Sequence, residues 1–277
     1  NGKYSTACYV EATIASLSAL LRKQGGEQAR HLRELGAVFM HRPYHRMPVA
    51  AWSLAYLFAL GADALHSPSA REELAGYASA AGIPIDDVLH EMGTDPRLLP
   101  LALQGQLTEE PYPLSARLAK ALRNAPVYRL LVDDKMTLGS DLTVALGNLY
   151  CASLPAWLAA GLEDAAQRNV GLPGNRLLLV GYGSGDASEA LPANLVPGWQ
   201  AAALRTGFAA RLTGAIDLDR RQYEVLHAGH LPEGLPADEQ AGFVVSRIGT
   251  QRSGQVLDYG IEYHREQVAA VGVATSC

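Results

Sequence analysis

Apolar positions along the chain form runs and helical stretches, and the breaks between them divide it into elements. Residues 6–23 are rich in Ala and Leu, and Gln24-Gly25-Gly26 closes them as a helix. Ser5 stands just ahead as the expected N-cap, its hydroxyl serving the free amides of the first turn. Residues 35–40 are a short apolar run, read as a buried strand. The segment His41-Arg42-Pro43-Tyr44-His45-Arg46-Met47-Pro48 ends it, because proline cannot donate to a ladder. A helical pattern resumes over 49–60. Residues 67–135 differ: prolines punctuate short amphipathic pieces such as 70–81 and 115–123, as in a helical insertion. Residues 140–167 read as one buried helix, kinked at Pro155. After a Pro173-Gly174 turn, residues 176–182 read as a central strand, apolar on both faces, that runs into Gly183-Ser184-Gly185. Residues 242–248 and 256–264 look like a closing pair of strands. Helix and strand alternate, so the class is α/β.

Composition narrows the classes. The 277 residues are 48% hydrophobic and 18% charged, which excludes a disordered chain and supplies a sizeable core. A net charge of −5 argues against a nucleic-acid partner. The longest apolar stretch, 47–65, is interrupted by Ser53, Gly61 and Asp63, so no membrane span is expected and a cytoplasmic location follows. Three dispersed cysteines, Cys8, Cys151 and Cys277, make neither a disulfide framework nor a zinc knuckle.

Several residues are placed for chemistry. His41 stands at the end of a buried strand, where open α/β sheets bind ligands, and imidazole suits acid–base work near neutrality. The alternative is a hydrogen-bonded structural histidine. His45 lies four residues on, but Pro43 breaks a helix between them and no third metal ligand is evident. Asn148, in Gly147-Asn148-Leu149-Tyr150, has an amide able to donate to a carbonyl oxygen, or to satisfy local backbone. Tyr182-Gly183-Ser184-Gly185 is neither a nucleophile elbow nor a dinucleotide loop, yet its glycines permit close approach of a ligand and Ser184 can hydrogen-bond it. Arg46 can meet a phosphate or stand solvated on the surface.

Taken together, NGKYSTACYVEA, HRPYHRM, GNLYCASL and GYGSG resemble, in order, four segments of 3-hydroxy-3-methylglutaryl-CoA synthase, a condensing enzyme of the thiolase superfamily. They cover roughly residues 1–194. The resemblance implies a layered α/β/α fold of two βαβαβαββ halves, of which residues 1–277 are the second, C-terminal half with the 67–135 insertion inside it. It implies condensation of acetyl-CoA with acetoacetyl-CoA to give HMG-CoA and CoA, with CoA thioesters as substrates and no cofactor or metal. The family's acetylated Cys and its general acid/base Glu belong to the first half, so the resemblance makes an N-terminal half, as a separate chain or a further segment, the required partner. It also implies a homodimer of complete units and no membrane.

By position, the resemblance makes His41 the catalytic histidine at the acetoacetyl group, Asn148 and Ser184 substrate-binding residues, Ser5 a neighbour of the CoA chain, and Tyr182 a packing neighbour of the pocket. Arg46 replaces a Lys that touches CoA, Ala50 replaces a second Lys, and Cys151 replaces a Thr. These departures admit a polyketide-pathway relative acting on a carrier-protein-bound ketoester. Two rivals from different classes stay open: a non-catalytic thiolase-fold subunit, and a condensing enzyme that uses Cys8 itself.

Overall fold

The computed structural model describes residues 2–106, 110–147, 149–183, 187–235, 242–254 and 258–267. The chain divides into two compact units, Asn1–Gly214 and Ala215–Cys277. In the first, β1 (Ala37–Met40), β2 (Arg176–Gly183) and β3 (Ala187–Asn194) form one sheet in the order β1-β2-β3. β1 runs parallel to β2, with Ala37 opposite Leu177 and Met40 opposite Val180, and β3 runs antiparallel to β2. Helix α1 (Gly2–Gln24) packs on β2 and β3, and α11 (Ser153–Gln167) on β1 and β2, in a layered α/β/α arrangement.

All four residues of β1 are buried, as an apolar run without alternation requires. After α2 (Gln28–Arg33) and β1 comes α3 (Arg46–Ala64), the central core helix, whose Trp52, Tyr56 and Leu57 are fully enclosed. It begins three residues earlier than the pattern predicts, because Pro48 lies in its first turn, where a missing N–H costs nothing. By length and composition α3 would pass for a membrane span, but most of that stretch is buried inside the protein, which makes it a core helix.

Residues 67–135 fold as helices. Ser67 caps α4 (Pro68–Ala81) by accepting from the Ala70 amide, Pro68 opens it, and Gly82 at φ 67° closes it. Next come α5 (Ile85–Met92), α6 (Leu98–Leu103) and α7 (Pro113–Leu122). A final stretch passes through α8 (Pro126–Tyr128), a π turn (Arg129–Asp133) and α9 (Asp134–Met136). Glu91 on α5 accepts from the Leu114 and Ser115 amides and so anchors the start of α7. Two bonds tie the last stretch to the core: Trp52 Nε1 donates to the Leu131 carbonyl at 2.9 Å, and buried Lys135 Nζ to the Leu35 carbonyl at 2.5 Å.

Three expectations are corrected. The single helix over 140–167 is two: α10 (Ser140–Val144) and α11, separated by a break in which Gly147 (φ 67°) and Tyr150 (φ 49°) take left-handed backbone. Pro155 therefore sits in the first turn of α11 and kinks nothing. Ser5 is not an N-cap, since α1 already begins at Gly2 and Ser5 lies inside the helix. β3 went unpredicted: its sequence, ASEALPAN, is a half-exposed edge strand of small and polar residues whose conformation comes from its ladder with β2.

Helices α12 (Trp199–Leu204) and α13 (Phe208–Leu212) complete the first unit. The carboxylate of Glu163 on α11 accepts from the Thr206 hydroxyl and from the Phe208 and Ala209 amides, fixing the start of α13. The second unit holds α14 (Arg220–His227), opened by a capping box between Asp219 and Gln222, and an antiparallel pair, β4 (Gly242–Ile248) with β5 (Glu262–Gln267). The closing strands thus form a sheet of their own, and the later one starts at Glu262 rather than at 256.

Candidate functional site

The end of β1 organises the site. The His41 amide donates to the Val180 carbonyl at 2.8 Å, the last rung of the parallel ladder. Beyond it Pro43 forbids further pairing, and the side chains of the loop are free to face other groups. The Tyr9 hydroxyl on α1 donates to the His41 carbonyl at 2.6 Å and pins the backbone from the helix side. Burial, with Tyr182 adding to it, raises the Tyr9 pKa far above its ordinary value, so Tyr9 is a permanent neutral donor. Its ring meets that of Tyr182 edge-on at 5.1 Å, and the Tyr182 ring lies 6.1 Å from the His41 imidazole. His41 is half-buried, and this burial lowers its pKa below the ordinary 6.5. At neutral pH the ring is uncharged, with one N–H to donate and one nitrogen to accept. A neutral imidazole at a strand end can hydrogen-bond a carbonyl oxygen and then pass it a proton.

Arg42, the next residue, meets a different set of groups. Its amide donates to Ser153 Oγ at 2.7 Å, and its guanidinium donates to Thr143 Oγ1 at 2.8 Å and Ser140 Oγ at 2.9 Å. It also touches His45 Nδ1 and lies over the Trp157 ring, 4.6 Å from the centroid. Burial lowers the pKa of Arg42, and only the more distant charge of Asp141 opposes the shift. His45 is lowered too, by burial first and then by Arg42 and Arg46.

Of these residues, Arg42, His45, Ser140 and Trp157 line a cavity of about 470 Å³ at the start of α3. Arg46, Ala50, Arg123, Tyr128, Asp133 and Met136 also line it. Three guanidiniums thus face one carboxylate, and none of the three arginines is in an ion pair among the described residues. Planar donors in excess over the one carboxylate, beside the positive end of a long helix, favour a phosphate.

The structure therefore brings His41 and Tyr182 together and places Arg46 in the cavity with Arg42. Ser5 is exposed on α1. Asn148 and Ser184 lie outside the described residues. Cys8 is buried inside α1 beside Ala7 and Leu98, and Cys151 is exposed. His41 and His45 face different neighbours, and among the described residues no group of three ligands is arranged for a metal. Sequence reasoning missed Arg42 and Arg123. Arg42 lay within the quoted segment, and its place between His41 and Pro43 at the end of the strand was the available signal. Arg123 carried none, being the ordinary basic residue at a helix end.

No family model and no curated protein matches the chain. Among solved structures it is similar to MvaS in complex with 3-hydroxy-3-methylglutaryl coenzyme A, with a TM-score of 0.56 over 96% of this chain and 51% of that one. The fold is thiolase-like. Sequence identity to that structure is 19%, and the chain spans about half its length. A three-stranded mixed sheet between α1 and α11, with helices between β1 and β2, is accordingly part of a thiolase-like architecture with helical insertions.

Proposed function

We propose that the chain is the acceptor-binding half of an HMG-CoA-synthase-like acyltransferase, which condenses acetyl-CoA with acetoacetyl-CoA to give HMG-CoA and CoA. The observation that carries this reading is the neutral, half-buried His41 at the carboxyl end of β1, in a fold similar to a structure bound to that product. In the reaction proposed, a cysteine supplied from outside these residues takes the acetyl group and releases CoA. A carboxylate, also from outside, removes an α-proton. The enolate attacks the acetoacetyl ketone, and a carbon–carbon bond forms as the carbonyl π pair moves to oxygen. His41 hydrogen-bonds that oxygen as charge builds on it and passes it a proton, and the α-proton held by the carboxyl restores the imidazole, so that the alcohol is completed with no net proton change. Water then cleaves the enzyme thioester and frees HMG-CoA. Asn148 and Ser184 would orient the acceptor, and Arg42, Arg46 and Arg123 would hold the phosphates of its CoA.

Burial of Cys8 within a helix supports its role as a packing residue over its use as nucleophile. The test purifies the native assembly through a tag on this chain and supplies labelled acetyl-CoA with acetoacetyl-CoA. The expected result is HMG-CoA from the assembly, with label trapped on a companion segment when the acceptor is withheld. His41→Ala should reduce condensation by about 10²–10⁴-fold and leave acetylation intact. Label on a Cys8 peptide, or condensation that survives His41→Ala, would refute the proposal. Turnover only with a carrier-bound ketoester would move the acceptor to that class.

A further inference from the structure

The short helical stretch over residues 126–138 has three sides with different surroundings. Tyr128, Val132 and Met136, spaced four apart, line the arginine cavity. Leu130, Asp134 and Leu138 are offset from them by two residues, about 200° around the axis. They line a second cavity of about 300 Å³, together with Gly36 and Leu172. Asp133 and Thr137 line both cavities. With open space on two sides, packing alone does not fix where this wall of the arginine cavity stands. The third side, Leu131 and Lys135, is buried at 1% and 2% exposure. There the Lys135 ammonium donates to the Leu35 carbonyl at 2.5 Å. The next residue, Gly36, donates its amide to the Arg176 carbonyl at 2.7 Å, at the base of the β1–β2 ladder.

A lysine is a costly choice for that buried place. Among the described residues its ammonium has the one acceptor and no ion pair. Burial lowers its pKa, and only the charge of Asp134 opposes the shift. An apolar side chain of similar length would fill the space without taking a cation out of water. What the ammonium adds is a charge-assisted bond from the wall to the sheet, stronger than the neutral bond from Trp52 to the Leu131 carbonyl.

We propose that Lys135 is a positioning residue: by fastening this wall to the base of β1, it holds the arginine cavity in the shape that a phosphate needs. A wall free to shift between two cavities would have to be ordered as the anion binds, and affinity would fall by that cost. The same strand, fully buried over its four residues, carries the frame to His41 at its other end. This inference rests on the phosphate reading of the cavity and does not depend on which reaction follows.

The test compares the full chain as wild type, Lys135→Met and Lys135→Arg, by calorimetric titration with inorganic pyrophosphate and by amide hydrogen exchange. Lys135→Met is expected to bind pyrophosphate about tenfold more weakly. Its faster amide exchange should be confined to residues 126–138. Lys135→Arg keeps a charged donor, and the second cavity, which Lys135 also borders, can take its extra atoms. It should therefore stay within about threefold of wild type. Undiminished pyrophosphate binding by Lys135→Met would overturn the inference, and so would a Lys135→Arg chain as weak as Lys135→Met. Faster exchange throughout the first unit, or a Lys135→Met chain that does not fold, would overturn it as well, by making Lys135 a part of the core. A wild-type chain that binds no pyrophosphate would instead refute the phosphate reading of the cavity, and the inference with it.

Discussion

Replacing Arg42 with Met separates a binding arginine from a structural one. Of the five guanidinium N–H groups of Arg42, those on the two terminal nitrogens bond Ser140, Thr143 and His45, and the one on Nε has no partner among the described residues. Only the charge of Asp141, which is not in an ion pair with it, opposes the cost of removing this cation from water. Losing neutral-acceptor hydrogen bonds costs about 0.5–1.5 kcal/mol each. Relief of the desolvation of a half-buried cation offsets a comparable amount. Met also retains apolar contact with the Trp157 ring. The stability change is therefore expected to stay under about 1.5 kcal/mol. Binding should respond differently, because a charge-assisted hydrogen bond to a phosphate is worth about 1.5–3 kcal/mol, or roughly 10–150-fold in affinity. Urea unfolding would report the first quantity and calorimetric titration with pyrophosphate the second, at low and high salt. Unchanged pyrophosphate affinity together with a stability loss of about 3 kcal/mol or more would refute the reasoning, since Arg42 would then be a clamp between the β1 loop and α10.

Further outcomes follow from the same geometry. Because burial lowers the His41 pKa, the unfolded chain takes up the proton first. Stability is then full above pH 6.5 and falls as pH drops below it, and His41→Gln should flatten that decline between pH 7 and 5 in unfolding curves. For Glu163, burial pushes the carboxyl up, but bonds from Thr206, Phe208, Ala209 and Gln167 outweigh it and the pKa is lowered. Its contribution is present above 4.5 and lost as pH falls through the lower folded value. Glu163→Gln should cost about 1–3 kcal/mol at pH 7 and little at pH 3, by urea unfolding at the two pH values. A Cβ at Gly161 would overlap the Phe39 ring, which already packs edge-on against Trp157 at 5.8 Å. Gly161→Ala should thus lower the unfolding midpoint, with an overpacking cost of about 1–3 kcal/mol, despite the gain in helix propensity. A stabilised variant would show that Phe39 can yield.

What the sequence determined by itself is whatever depends on neighbours along the chain. The apolar run of β1, the end imposed on it by Pro43, the Gly25-Gly26 stop after α1 and the burial of β2 are all set locally, and His41 could be placed at a strand end from them alone. So could the succession of helices over 67–135, since each proline fixes where a helix starts or stops. Tertiary structure decided the rest. β3 is a strand because β2 pairs with it, and its own residues carry little strand preference. The break between α10 and α11 rests on left-handed backbone at Gly147 and Tyr150, which an apolar pattern does not register. The arginine cavity draws Arg42 and Arg46 from the β1 loop and the start of α3, and Arg123 from the end of α7, across some eighty residues of sequence. Periodicity reports which face of an element is buried. It does not report which distant element arrives there, and the convergence of those three charges depended on that.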